Sequence, residues 1–183
     1  MNPLNITLIL GTTFLSVFLQ CTLAGFRNMT GVQPDLLPGL VAYATLTSGL
    51  GMGTLTALCG GLWVDSLSHN PLGISIGPLF AAALVMERYR GMILRDQTYA
   101  QFLIGAAVSA GVPAATLLLL LNTSNTPLVG WSSLWQWSVM ALIGGLLTPV
   151  WFWLFSWLGR QLNYETLPDA GSQSNRQIKR GRG

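Results

Sequence analysis

Six carboxylates, one histidine and two cysteines are the side chains of this sequence equipped for catalysis or metal binding. General acid–base work or metal ligation needs such groups brought together around one reacting atom. Asp35, Asp65, Glu87, Asp96, Glu165 and Asp169 instead fall at the edges of apolar runs or in a polar tail. His69 stands by itself in a polar turn, where a histidine is ordinarily just solvated. Cys21 and Cys59 lie inside apolar runs, far apart and without a CxxC pattern, and read as small buried hydrophobes. No metal-ligand spacing, phosphate-cradling glycine loop or Ser-His-Asp set is present. The expectation is a protein that is not an enzyme and that holds no cofactor and no metal.

The elements that carry these residues follow from where charge is missing. Only 8% of the chain is charged and 51% is hydrophobic, against about 25% charged in a soluble domain. Residues 1–26, 36–64, 66–86 and 97–159 contain no Asp, Glu, Lys or Arg. A charge at the centre of a spanning helix costs about 2.5–3.5 kcal/mol on the insertion scale, so cleared stretches of this kind are what a bilayer demands. The reading is an all-α, polytopic membrane helical bundle whose surroundings are lipid, with no nucleic-acid partner. The opening "MNPLNITL" has no Lys or Arg, so the first run reads as a span and not as a signal peptide.

A crossing needs about 20 apolar residues. The runs are 4–24, 34–48, 52–67, 74–87, 98–121 and 134–158, separated by "RNMTGVQPD", "SGLGMG", "SHNPLG", "ERYRGMILRD" and "NTSNTPLVG". Each break carries the Gly, Pro, Asn or charge that punctuates helices. Pro34 followed by Asp35 suits a helix start. Residues 36–64 could also be read as one long helix, so six transmembrane helices are expected and five remain open. Gly49, Gly51 and Gly53 favour the break, at about 1 kcal/mol per interior glycine. With six spans, Arg88, Arg90, Arg95, Arg160, Arg176, Lys179, Arg180 and Arg182 share one side and Arg27 alone marks the other. That asymmetry places both termini in the cytoplasm. Trp131, Trp135, Trp137 and Trp157 flank the last run as an interfacial belt would. Residues 1–160 are thus the membrane bundle. Residues 161–183 form a polar tail read as disordered, whose basic cluster Arg176, Lys179, Arg180 and Arg182 fits a weak contact with anionic lipid or a partner and equally a topology signal alone.

Gly49, Gly53, Ala57, Gly61 and Asp65 recur every four residues and form one ridge of a helix. Small side chains on such a ridge let another helix approach closely, so it is the expected packing or partner face. Asp65 closes the ladder near a helix carboxyl end, where the dipole disfavours an anion. Two readings stand: an interfacial acid reaching water, or one that caps the following turn or bonds to a partner. "GAAVSAGVPAA" at 105–115 is a second run of small residues, to be wedged within the bundle or against a partner's helix.

"QPDLLPGLVAYATL" (33–46) and "GGLWVDSLSHNPLG" (60–73) resemble the MreD family, the membrane component of the bacterial rod-shape system, or elongasome. Pro34, Asp35, Leu36 and Leu37 match that family's start of span two. Gly61, Asp65, Pro71, Leu72 and Gly73 match its turn after span three. The resemblance covers about residues 33–80, and "SGLGMG" departs from the basic loop the family would place there. It implies a non-enzymatic scaffold in the plasma (inner) membrane that binds the single-span protein MreC. Through that partner it would support peptidoglycan synthases, cell shape and MreB filaments. It also implies a fold similar to the S components of energy-coupling-factor vitamin transporters, and a substrate-binding S component is the alternative function. That alternative implies alanine or small-residue docking motifs on the first span, and the absence of an Ala-x-x-x-Ala pair there counts mildly against it.

Overall fold

The computed structural model describes residues 3–22, 35–68, 71–91, 97–122 and 131–161. Among them it is all-helical: α1 (Pro3–Thr22), α2 (Leu37–Ser48), α3 (Leu50–Leu67), α4 (Ile76–Tyr89), α5 (Thr98–Asn122) and α6 (Trp131–Gln161). Every break expected from composition separates two helices. Pro113 and Pro149 lie inside α5 and α6. Pro34, Arg27, His69, Arg95, Asp96 and the tail with Arg176, Lys179, Arg180 and Arg182 lie outside the described residues.

The expected start of the second helix is corrected. Helix α2 starts at Leu37, later than the Pro34–Asp35 start, with Leu36 as its N-cap and Pro38 in its first turn. Helix α6 runs through Gln161, the last described residue.

Residues 36–64 are not one helix. Gly49 sits alone between α2 and α3 with φ +89° and ψ 177°, a region open essentially to glycine. The chain reverses there, and the two helices pack as an antiparallel hairpin. A Cβ on Gly53 would collide with Thr45, and one on Gly60 would lie 2.5 Å from the Leu37 side chain. Of the glycines that looked like interruptions, Gly53 is part of the contact surface of the hairpin, Gly49 makes the reversal and Gly51 is exposed.

Helix α2 is the axis of the bundle. Leu37 through Leu46 are all buried, and the helix packs against each of the other five. Tyr43 on α2 stacks on Phe155 of α6 at 4.4 Å between ring centroids and meets Phe152 edge-on at 4.9 Å. Such aromatic pairs contribute about 0.5–1.5 kcal/mol beyond their buried area. Four buried threonines are satisfied within their own helices: Thr13, Thr45, Thr56 and Thr148 each donate to the carbonyl four residues back, at 2.6–2.8 Å. That habit lets polar atoms sit in a core with no water to bond them.

Among the described residues, three helical segments are long and apolar enough to cross a membrane: Asn5–Thr22, Thr98–Leu120 and Trp135–Arg160. Their outward faces expose Phe14, Leu15 and Phe18 on α1, Leu118 on α5, and Leu142, Leu146 and Trp153 on α6. Large apolar side chains turned outward on helices of this length mark a membrane protein.

Candidate functional site

Asp65 is the acid the fold has enclosed, only 2% exposed. Its Oδ2 accepts from the backbone N–H of Gly73 at 2.8 Å and of Ser75 at 3.2 Å, and its Oδ1 accepts from the Ser75 hydroxyl at 2.5 Å. Ser75 is the N-cap residue of α4. The carboxylate therefore lies at the carboxyl end of α3 and simultaneously at the amino end of α4. The second dipole favours an anion and offsets the first. The enclosed carboxylate fits the capping alternative, and the partners are Gly73 and Ser75.

The turn between these helices follows from the same residues. Gly73 takes φ +93°, a conformation L side chains rarely adopt, and so presents its N–H to Asp65. The Pro71 and Gly73 carbonyls accept from Ile74 and Ile76, both at 3.3 Å. Leu72 points outward, 73% exposed. Gly61 allows the closure, because a Cβ there would stand 3.2 Å from the Cα and N of Ile76.

Asp35 does related work at the same end of the α2–α3 hairpin. Its Oδ1 accepts from Leu37 N–H at 3.1 Å, which caps α2 from outside the helix, and from Gln20 Nε2 at 3.2 Å. Gln20 ties the end of α1 to this corner, and its Oε1 receives Leu36 N–H at 3.5 Å. Leu36 thus contributes its backbone to the corner.

Of the two readings of the ladder, packing and partner face, the structure shows packing. Gly53 faces Thr45 of α2, Ala57 is fully buried, Gly61 faces Ile76, and Asp65 is bonded to the turn. This ridge is closed by the chain's own helices and has no room for a partner's. Gly49 is not on the ridge at all but forms the reversal. The physical reason is the hairpin: the small residues let α2 and α4 approach α3, a use of close packing the sequence could not distinguish from an intermolecular one.

The second small-residue run is split. Gly105 packs on Gly144 and Thr148 of α6, and Ser109 fits against Gly144. Gly111 and Ala107 face outward, and nothing lies within 4 Å of a Cβ placed on Gly111.

The structural roles of five polar residues were missed from sequence. Arg90 counted only as a topology signal, yet its Nε donates to Leu46 O at 3.1 Å and its Nη2 to Thr47 O at 3.3 Å, so it caps the carboxyl end of α2. Glu87 pairs with it at 3.6 Å. Asn5 Nδ2 donates to Ser48 Oγ at 3.3 Å near the same end. Gln20 and Ser75 were likewise passed over. A lone Gln inside an apolar run and a Ser opening one were the available signals.

The two polar layers thus bind helix ends to one another, and the Glu87–Arg90 pair belongs to one of these end contacts. Among the described residues no group of three or more His, Cys, Asp or Glu side chains is placed to hold a metal ion. Comparison with protein-family models, curated proteins and solved structures gives no match.

Proposed function

We propose that this chain is a non-enzymatic scaffold of a bacterial rod-shape system. In this reading it crosses the plasma membrane six times with both termini in the cytoplasm. It binds an MreC-type single-span protein and, through it, peptidoglycan synthases and MreB filaments. The observation that carries the reading is the bond between Asp65 and Gly73. These are two of the residues on which the resemblance rests, and their chemistry is that of a brace. With the α3 ridge filled internally, the place for a partner helix is the open side of α5 at Ala107 and Gly111, where small side chains permit close approach.

Co-purification from membranes of cells producing a tagged MreC-type protein is the test. The unsubstituted chain is recovered with the tag. Gly111→Leu, which adds bulk only to the open side, folds and inserts normally but is lost from the pull-down. Failure of the unsubstituted chain to co-purify overturns the scaffold reading. An unfolding temperature raised by one member of a vitamin panel would then assign it to the S-component class instead.

A further inference from the structure

The apolar perimeter of the bundle is uneven, and its low point is α4. That helix is 14 residues long and turns Phe80, Leu84 and Val85 outward, 37–49% exposed. At about 1.5 Å per residue it rises about 21 Å, against a hydrocarbon core of about 30 Å. Its neighbours are taller. α3 has 18 residues and α5 has 25, about 27 Å and 37 Å by the same rise.

Both ends of α4 are polar and held in place. Gly73 and Ser75 are tied to the buried Asp65 carboxylate. At the other end the Arg90 guanidinium is bound to the Leu46 and Thr47 carbonyls, so it lacks the freedom by which a terminal arginine reaches along apolar surface to the interface. The exposed Arg88 stands beside it, a charge suited to a lipid phosphate.

We propose that phospholipid fills this notch by thinning: the bilayer beside α4 is compressed by roughly 9 Å, with headgroups drawn in toward both ends of the helix. The inference rests on the reading that α4 lies at membrane depth. It adds a lipid-remodelling property that the scaffold role does not contain.

The test uses the full chain with Cys21→Ser and Cys59→Ser, reconstituted in dioleoyl phosphatidylcholine vesicles containing one-fifth phosphatidylglycerol by design. Nitroxide labels are placed one per protein at Gly77→Cys and Tyr89→Cys on α4 and at Leu142→Cys and Trp153→Cys on α6. Depth is read from the ratio of oxygen to nickel-chelate relaxation. Each pair is about 16–18 Å apart along its helix. The expected result is that both α4 labels lie at the headgroup boundary while both α6 labels lie about 6 Å or more inside the hydrocarbon. Two α4 labels as deep as the α6 pair overturn the thinning and leave the membrane reading standing. Water-exposed α6 labels overturn both. Hydrogen exchange of the unsubstituted chain in the same vesicles is the second readout, should a labelled variant fail to fold. Fast exchange at the Leu72 and Gly91 amides is expected, and protection at both overturns the inference.

Discussion

Ser75 gives both its backbone N–H and its hydroxyl to the Asp65 carboxylate, ten positions earlier in the chain. With Gly73 N–H, three donors converge on two oxygens. Asp65→Ala strands them in a buried site, at about 1–3 kcal/mol for each unsatisfied group. Asp65→Asn keeps an acceptor for the two N–H groups and can donate to the hydroxyl, so it loses the charge assistance and costs about 1–2 kcal/mol. Asp35 uses a single oxygen for both of its bonds, and Asp35→Asn costs less than about 1 kcal/mol. The expected order of unfolding midpoints in detergent is Asp35→Asn above Asp65→Asn above Asp65→Ala. Equal midpoints would remove the brace from the account.

Glycine-to-alanine substitutions should divide by location. At Gly105 a Cβ meets Thr148 and lies 2.6 Å from the Gly144 carbonyl, whereas at Gly11 and Gly111 it meets nothing. Overpacking the first site lowers stability by about 1–3 kcal/mol. The open helical sites gain about 0.5–1 kcal/mol from reduced backbone entropy. Thermal unfolding of the three variants checks the opposite signs.

The reversal at Gly49 makes a third case. Its φ of +89° is unfavourable to any side chain, and a Cβ would also approach Arg90 Nη1 at 3.2 Å. Gly49→Ala is expected to cost about 1–3 kcal/mol. Gly73→Ala, at φ +93° with open space around it, carries only the backbone part. A Gly49→Ala midpoint at or above that of Gly73→Ala would contradict this.

At the opposite end of the bundle, Arg90→Ala removes two charge-assisted bonds to the last carbonyls of α2, worth about 1.5–3 kcal/mol each. Arg90→Lys recovers little, because an ammonium cannot reproduce the guanidinium fork. Glu87→Gln changes stability by less than about 1 kcal/mol, since its ion pair is partly solvated. Faster amide exchange over residues 45–49 in Arg90→Ala, but not in Glu87→Gln, is the corresponding local signature.

The helices themselves were legible because lipid imposes a simple rule, charge-free runs with polar punctuation, and each run of the sequence became one helix. Partner choice was not legible. Gly53 and Gly61 announce close approach, but spacing alone does not say whether Thr45 and Ile76 of the same chain or another protein's helix arrives. Gly49 shared the four-residue interval and was grouped with the ladder, although only its backbone angle reveals that it breaks the ridge. Asp65 read as an anion at an unfavourable helix end because the neighbouring α4 start, which reverses the sign of the local dipole field, is a tertiary fact. Arg90 and Gln20 were invisible as caps for the same reason: their acceptors and donors lie far away in sequence.

The single-residue link at Gly49 also bears on how the protein is made. A nascent chain presenting residues 36–64 offers the insertion machinery no charged stop, and α2 is about 18 Å long, too short to be threaded and anchored by itself. A one-residue link between two closely packed helices makes the α2–α3 hairpin a single unit of the fold, in which neither helix can be placed without the other.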